Sequence, residues 1–148
     1  MKRFIDVHTG EIMAGQGEVV LKSDAGNACL VIAAYDRIKK VGALAHALFL
    51  NGAAEHHHSP VIRDANAAIE EMINDMQMLG SEPQNIEVSV VAGENVHHPD
   101  HDPNYHKTIE HTLDILRNRH LRCLQNLKED IGASHVELDV SSGEVNCK

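Results

Sequence analysis

Apolar positions fall in two rhythms along this chain, one suited to covered strands and one to helices. Glu18-Val-Val-Leu21 reads as a short strand, and the Ser23-Asp-Ala-Gly-Asn27 segment after it is rich in residues that favour turns and caps. Two apolar runs follow, Cys29 to Ala34 and Val41 to Leu50, separated by the polar segment Asp36-Arg-Ile-Lys-Lys40. Apolar runs enriched in Val, Ile and Leu and bounded by a short polar connection predict a hairpin in a covered sheet. The alanines and leucines of the second run also suit a helix, but Gly42 and the short connection favour the hairpin.

Ser59-Pro60 then offers an N-cap and a first-turn proline. Ile62, Ala65, Ile69, Met72, Ile73, Met76 and Leu79 recur at helical spacing, and Gly80 suits the C-terminal cap. The methionines on this stripe read as core filler. Ile86 to Val91 alternates as a strand, and Asp102-Pro103 opens a second helix with the stripe Ile109, Thr112, Leu113 and Leu116. Leu121 to Leu124 suits a further strand, and His135 to Val140 with Ser141-Ser-Gly143 and Glu144-Val145 reads as a closing hairpin. Strands dispersed between two main helices predict an α/β or α+β single domain over residues 1–148, with mixed β-sheet layers flanked by those helices.

A length of 148 residues is enough for one ordinary core. The formal net charge of −9 gives no basic excess with which to displace counterions from a nucleic acid, so that partner class is not expected. Met-Lys-Arg followed by Phe-Ile-Asp-Val-His8 has neither a signal-peptide core nor the length of a membrane span, which predicts a cytoplasmic protein without membrane insertion. The three cysteines, Cys29, Cys123 and Cys147, are too dispersed for a disulfide framework or a paired-cysteine zinc site. Cys123 reads as a strand-core residue and Cys147 as an exposed tail thiol.

The hairpin gives Cys29 a chemical context. Pairing symmetric about the Arg37/Ile38 midpoint sets Ala34 against Val41 and Cys29 against His46. Directly opposed residues of an antiparallel pair have Cβ atoms roughly 4.5–5.5 Å apart, within reach of a thiol–imidazole hydrogen bond. An imidazole there lowers the thiol pKa and later protonates the leaving group, and it is best oriented by a third group on its other nitrogen. Ser23 and Asp24 are candidates for that third group. Buried cysteine as a small hydrophobe is the competing reading of Cys29.

The segment SDAGNACLVIAAYDRIKKVGALAH, Ser23 to His46, resembles the chemoreceptor glutamine deamidase (CheD) family. That family's pattern is a threonine, a glycine-rich loop, Gly-Ser-Cys, an apolar strand, then lysine-valine-glycine and a histidine, and the spacing agrees without a gap. His8-Thr-Gly-Glu11, Asp64-Ala65, Val91-Ala-Gly93 and the His135–Gly143 hairpin are similar to further family segments. The resemblance implies a CheD-like sandwich with Cys29 as nucleophile, His46 as general base and Ser23 in the threonine's place. It also implies a cofactor-free hydrolase that deamidates glutamine side chains on chemoreceptor helices, and a CheC-type phosphatase as a further partner. The sequence departs from the pattern at Asn27-Ala28, where the family has Gly-Ser, and at Tyr105 to Thr108 and Leu127 to Ser134.

Twelve histidines are many for this length, and they cluster. His56-His57-His58 follows the proposed hairpin, while His97, His98, His101, His106 and His111 crowd a segment holding Asp100 and Asp102. Imidazole with carboxylate suits zinc, nickel or copper, with His97, His98 and His101 as the candidate ligands. Solvated loop histidine is the alternative, since the HHPDH spacing matches no closed site. Three functions thus stand side by side: a cysteine amidohydrolase, a non-catalytic binding relative, and a His-rich metal-binding module.

Overall fold

The computed structural model describes residues 2–8, 10–23, 29–48, 65–92, 103–123 and 135–147. Among the described residues nine strands form two mixed sheets: β1 (Arg3–Asp6), β2 (Ile12–Gln16), β3 (Val19–Ser23), β4 (Cys29–Asp36), β5 (Val41–Leu48), β6 (Ile86–Ala92), β7 (Arg122–Cys123), β8 (Val136–Asp139) and β9 (Glu144–Cys147). Helices α1 (Ala65–Met78) and α2 (Pro103–Asn118) flank them, with a short 3-10 turn at Pro83–Asn85. The four-stranded sheet runs β1-β3-β8-β9 and the five-stranded sheet β2-β5-β4-β6-β7. The domain is a mixed α+β sandwich, as the strand and helix rhythms predict.

Alternation along β4 and β5, which send successive residues to opposite covered faces, explains why their sequences read as apolar runs, and β6 beside them buries both faces as well. Leu30, Ile32, Ala43, Ala45, Val88 and Val90 pack with Ile69, Met72 and Met76 of α1 and Leu116 of α2. The opposite faces send Val31, Ala33, Leu44 and Val91 against Val19, Leu21, Val136 and Leu138 of the smaller sheet. The five-stranded sheet is therefore a middle layer with apolar matter on both sides, which selects hydrophobic residues at consecutive positions. Gly42 permits the close approach of the two sheets, since a Cβ there would lie 3.0 Å from both Leu138 Cδ2 and Val140 Cγ2.

The methionine stripe is core, with Met72 and Met76 fully buried. Gly80 closes α1 as expected, with φ +103 and bonds from its own N–H to the Gln77 carbonyl and from Ser81 N–H to the Met76 carbonyl. The same paired bonds end α2, where His120 occupies the left-handed position at φ 57. On α2 the buried face comprises Thr112, Ile115 and Leu116, with Leu113 partly covered. Ser59-Pro60 and Ile62 lie outside the described residues, so the described α1 begins at Ala65. Cys123 packs half-buried against the helix-side core on β7, and burial pushes its thiol pKa up.

Two features differ from the sequence expectations. Strands β1 and β2 carry no readable pattern of their own; β1 has only Ile5 partly covered, and β2 is partly exposed along its length. Their places are set by pairing, β1 parallel to β3 and β2 antiparallel to β5. The hairpin register is also displaced by two residues. Ala34 stands opposite Ala43, and Asp36 opposite Val41. The cause lies at the turn: Asp36 Oδ1 accepts hydrogen bonds from the Ile38 and Lys39 N–H groups at 2.9 and 3.2 Å, and Lys40 adopts φ 54. This local closure extends β4 through Tyr35 and Asp36, leaving only Arg37 to Lys40 as the turn. A slip of two preserves every side chain's face, whereas a slip of one would have inverted them.

Candidate functional site

His46 reaches the space between the sheets because it shares the strand parity of Leu44, an inter-sheet core residue of β5. Ser23 comes from the other sheet, on the same face of β3 as Val19 and Leu21. The two meet at 2.9 Å, Ser23 Oγ to His46 Nδ1, with only 3% and 4% of the residues exposed. Ser23 therefore meets His46 from the end of a strand rather than from a folded-back loop. Asp24 lies outside the described residues.

Register places Cys29 opposite Leu48 and His46 opposite Val31. The direct Cys29–His46 opposition expected from a symmetric hairpin is thus corrected to a diagonal one. Diagonal positions on an antiparallel pair are roughly 7–8 Å apart. The two-residue displacement retains the common parity of positions 29, 31 and 46 across the pair.

A pocket of about 360 Å³ opens beside the Ser–His pair, lined by Asp6, Val7, His8, Lys22, Ser23, His46 and His135. Of its other polar residues, Asp6 and Lys22 carry no motif that marks them in the sequence, while His8 and His135 begin segments singled out there only as a turn and a hairpin. They converge because β1 and β3 run parallel, with Asp6 in register with Lys22, and because β8 pairs with β3 on the other side, Val136 opposite Ser23. The Lys22 ammonium lies 5.5 Å from the Phe4 ring centroid. The His135 ring is 2.9 Å from the Glu137 carboxylate. Such a wall offers both hydrogen-bond donors and acceptors to a polar side chain.

The backbone of His46 is held from outside the hairpin as well. Gly10 N–H donates to the His46 carbonyl at 2.7 Å, and His46 N–H donates to the Glu11 carbonyl at 3.1 Å. Among the metal candidates, His97, His98 and His101 lie outside the described residues, as do His56 to His58; His111 is exposed on α2. Among the described residues no three His, Cys, Asp or Glu groups gather in a metal-binding arrangement, and no helix is long and apolar enough to cross a membrane.

No family model matches the chain. Similarity over most of this chain is found instead to curated proteins. A Chlorobium luteolum protein named "Probable chemoreceptor glutamine deamidase CheD" is 26% identical over 142 residues, covering 95% of this chain and 70% of that protein. A Thermococcus kodakarensis protein of the same name is also 26% identical, over 93% of this chain and 92% of its own length. A Pyrococcus horikoshii protein, again so named, is 22% identical over 97% and 91% respectively. Over most of its length the chain is thus similar, at 22–26% identity, to proteins named for CheD. Among solved structures, a Neisseria meningitidis protein of the DUF152 family aligns with a TM-score of 0.41 at 15% identity over 63% of this chain. The chain spans 40% of that structure's length. The CheD likeness covers both sheets and both helices, and the Ser23–His46 pair falls inside it.

Proposed function

We propose that the chain is a cysteine amidohydrolase that converts glutamine side chains on chemoreceptor helices to glutamate. The observation that carries the reading is the buried Ser23–His46 hydrogen bond at 2.9 Å beside an open polar pocket. Imidazole fixed through Nδ1 is pre-oriented to work through Nε2, the arrangement a general base requires. The names of the CheD relatives support the substrate class.

In this mechanism Cys29 supplies the thiolate. The support for pairing nucleophile and base is the backbone register, in which positions 29 and 46 are diagonal neighbours of like parity on the antiparallel pair. The His46 imidazole takes the thiol proton, and the thiolate attacks the carboxamide carbon. The C–N bond then breaks as His46 returns the proton to departing ammonia, leaving a thioester. Water, activated by the same imidazole, adds to the thioester carbon; the C–S bond breaks, glutamate is released and the thiol re-forms. The balance is one water consumed and one ammonia formed per glutamine. Ser23 holds the ring in place throughout.

Iodoacetamide alkylation of Cys29 across pH, read by mass spectrometry in the parent and in His46→Ala, tests the dyad. The expected result is modification well below the pH of an ordinary thiol, an advantage lost in His46→Ala. Ammonia release from a soluble chemoreceptor cytoplasmic helix fragment then tests the substrate, with a loss of roughly 10²–10⁴-fold expected in His46→Ala. Cys29 reactivity equal to that of an ordinary thiol in both proteins, with no ammonia released, would overturn the reading and leave a non-catalytic relative.

A further inference from the structure

The turn preceding β2 does more than connect it to β1. Glu11 N–H bonds back to the His8 carbonyl at 2.8 Å, and Gly10 occupies the left-handed region at φ 82. Two residues of this segment, Gly10 and Glu11, oppose the single residue His46, one donating to its carbonyl and the other accepting from its N–H. Two against one, with a left-handed glycine in the first place, is a glycine-type β-bulge. Regular pairing resumes immediately afterwards, Ile12 opposite Ala45. The bulge thus sits at one place on β5, the histidine that meets Ser23.

A β-bulge increases local twist and re-aims the side chain facing it. The glutamate side chain closes this one: Glu11 Oε1 accepts from His8 N–H at 2.8 Å. Its carboxylate and its backbone N–H therefore both tie Glu11 to His8, a residue of the pocket wall. Charge-assisted bonds of this kind are roughly twice as strong as neutral ones, which suits a clamp.

The geometry points to Glu11 as a positioning residue: by closing the 8–11 turn over the Gly10 bulge it sets the backbone of His46, and with it the ring that Ser23 receives. Glu11 acts through His46 and touches no substrate. This inference rests on the proposed role of His46 as general base. A ring displaced by even 1 Å from its working geometry can lower a rate by about 10²-fold, so a clamp on the histidine backbone has kinetic weight.

Two variants separate clamp from filler. Glu11→Met keeps the length and removes the acceptor, while Glu11→Gln retains an acceptor oxygen. The expected result is a kcat for receptor-fragment deamidation lowered about 10- to 100-fold in Glu11→Met at unchanged KM, with Glu11→Gln within a few-fold of the parent. In parallel, the ring-nitrogen NMR resonances of His46 are expected to shift in Glu11→Met and to return in Glu11→Gln. Identical kcat and His46 resonances in the two variants would overturn the proposal. If the parent itself releases no ammonia, the amidohydrolase reading fails, and the NMR comparison still decides the positioning role. Should Glu11→Met not fold, Gly10→Ala strains the bulge while leaving the carboxylate in place; unchanged His46 resonances there would equally overturn the assignment.

Discussion

Replacing Ser23 with alanine tests the hydrogen bond by which the two sheets meet at the site. The substitution removes a hydroxyl from a residue 3% exposed and leaves its partner nitrogen on His46, 4% exposed, facing a methyl group. A typical intramolecular hydrogen bond contributes about 0.5–1.5 kcal/mol net, and stranding a buried polar atom costs about 1–3 kcal/mol. The cavity left by one oxygen adds little, so the expected destabilisation is about 2 kcal/mol. With a urea m-value of about 1–3 kcal/mol/M, the unfolding midpoint moves down by roughly 1 M. A double-mutant cycle with His46→Leu then measures the contact itself, with an expected coupling of about 1–2 kcal/mol. If it steadied the transition state in full, the same energy would limit the rate loss of Ser23→Ala to roughly 30-fold, milder than the loss on removing His46. Ser23→Thr retains the hydroxyl and should retain most of the coupling. A coupling below about 0.5 kcal/mol would refute the claim that Ser23 holds the imidazole, whatever the activity of the single variants.

Other consequences of the structure are open to measurement. Gly42→Ala forces a methyl group against Leu138 and Val140 at 3.0 Å, and overpacking of this kind should cost about 1–3 kcal/mol in chemical denaturation. His120→Gly relieves a left-handed non-glycine residue at the α2 terminus, so Tm should rise by a few degrees; an unchanged or lowered Tm would count against that cap assignment. Asp36→Ala removes both bonds that Asp36 Oδ1 accepts in the β4–β5 turn and should destabilise by about 2 kcal/mol, although it also relieves Asp36 Oδ2, a buried oxygen with no hydrogen-bond partner among the described residues. The Lys2 ammonium, with Ser141, holds the Asp139 carboxyl below its ordinary value of 3.8. Its stabilisation is therefore complete above that value and is lost as pH falls through the lowered folded one. Asp139→Asn should flatten the acid limb of the stability–pH curve below about pH 4.

Much of the fold was legible because the sequence carries its own periodicities. The apolar runs at Cys29 to Ala34 and Val41 onward, the methionine stripe of α1 and the Gly80 cap each depend on neighbours within a few residues, and each reads correctly from local pattern. Positions 23 and 46 are legible for another reason: a hydroxyl and an imidazole at the ends of covered strands, in a spacing shared with a known family, are chemically conspicuous. Tertiary structure decided the rest. Edge strands β1 and β2 are too exposed to carry an apolar signature, and only pairing with β3 and β5 fixes them. The hairpin register turned on one carboxylate, Asp36, whose hydrogen bonds moved the pairing by two residues while preserving its faces. The pair Asp6 and His8, Lys22, and His135 come from three separate segments and converge because β3 has a parallel partner on one side and an antiparallel one on the other. Local pattern determines which residues are buried and which segments are extended. Which edges meet, and so which polar groups share a pocket with His46, depends on contacts between distant segments that no local periodicity encodes.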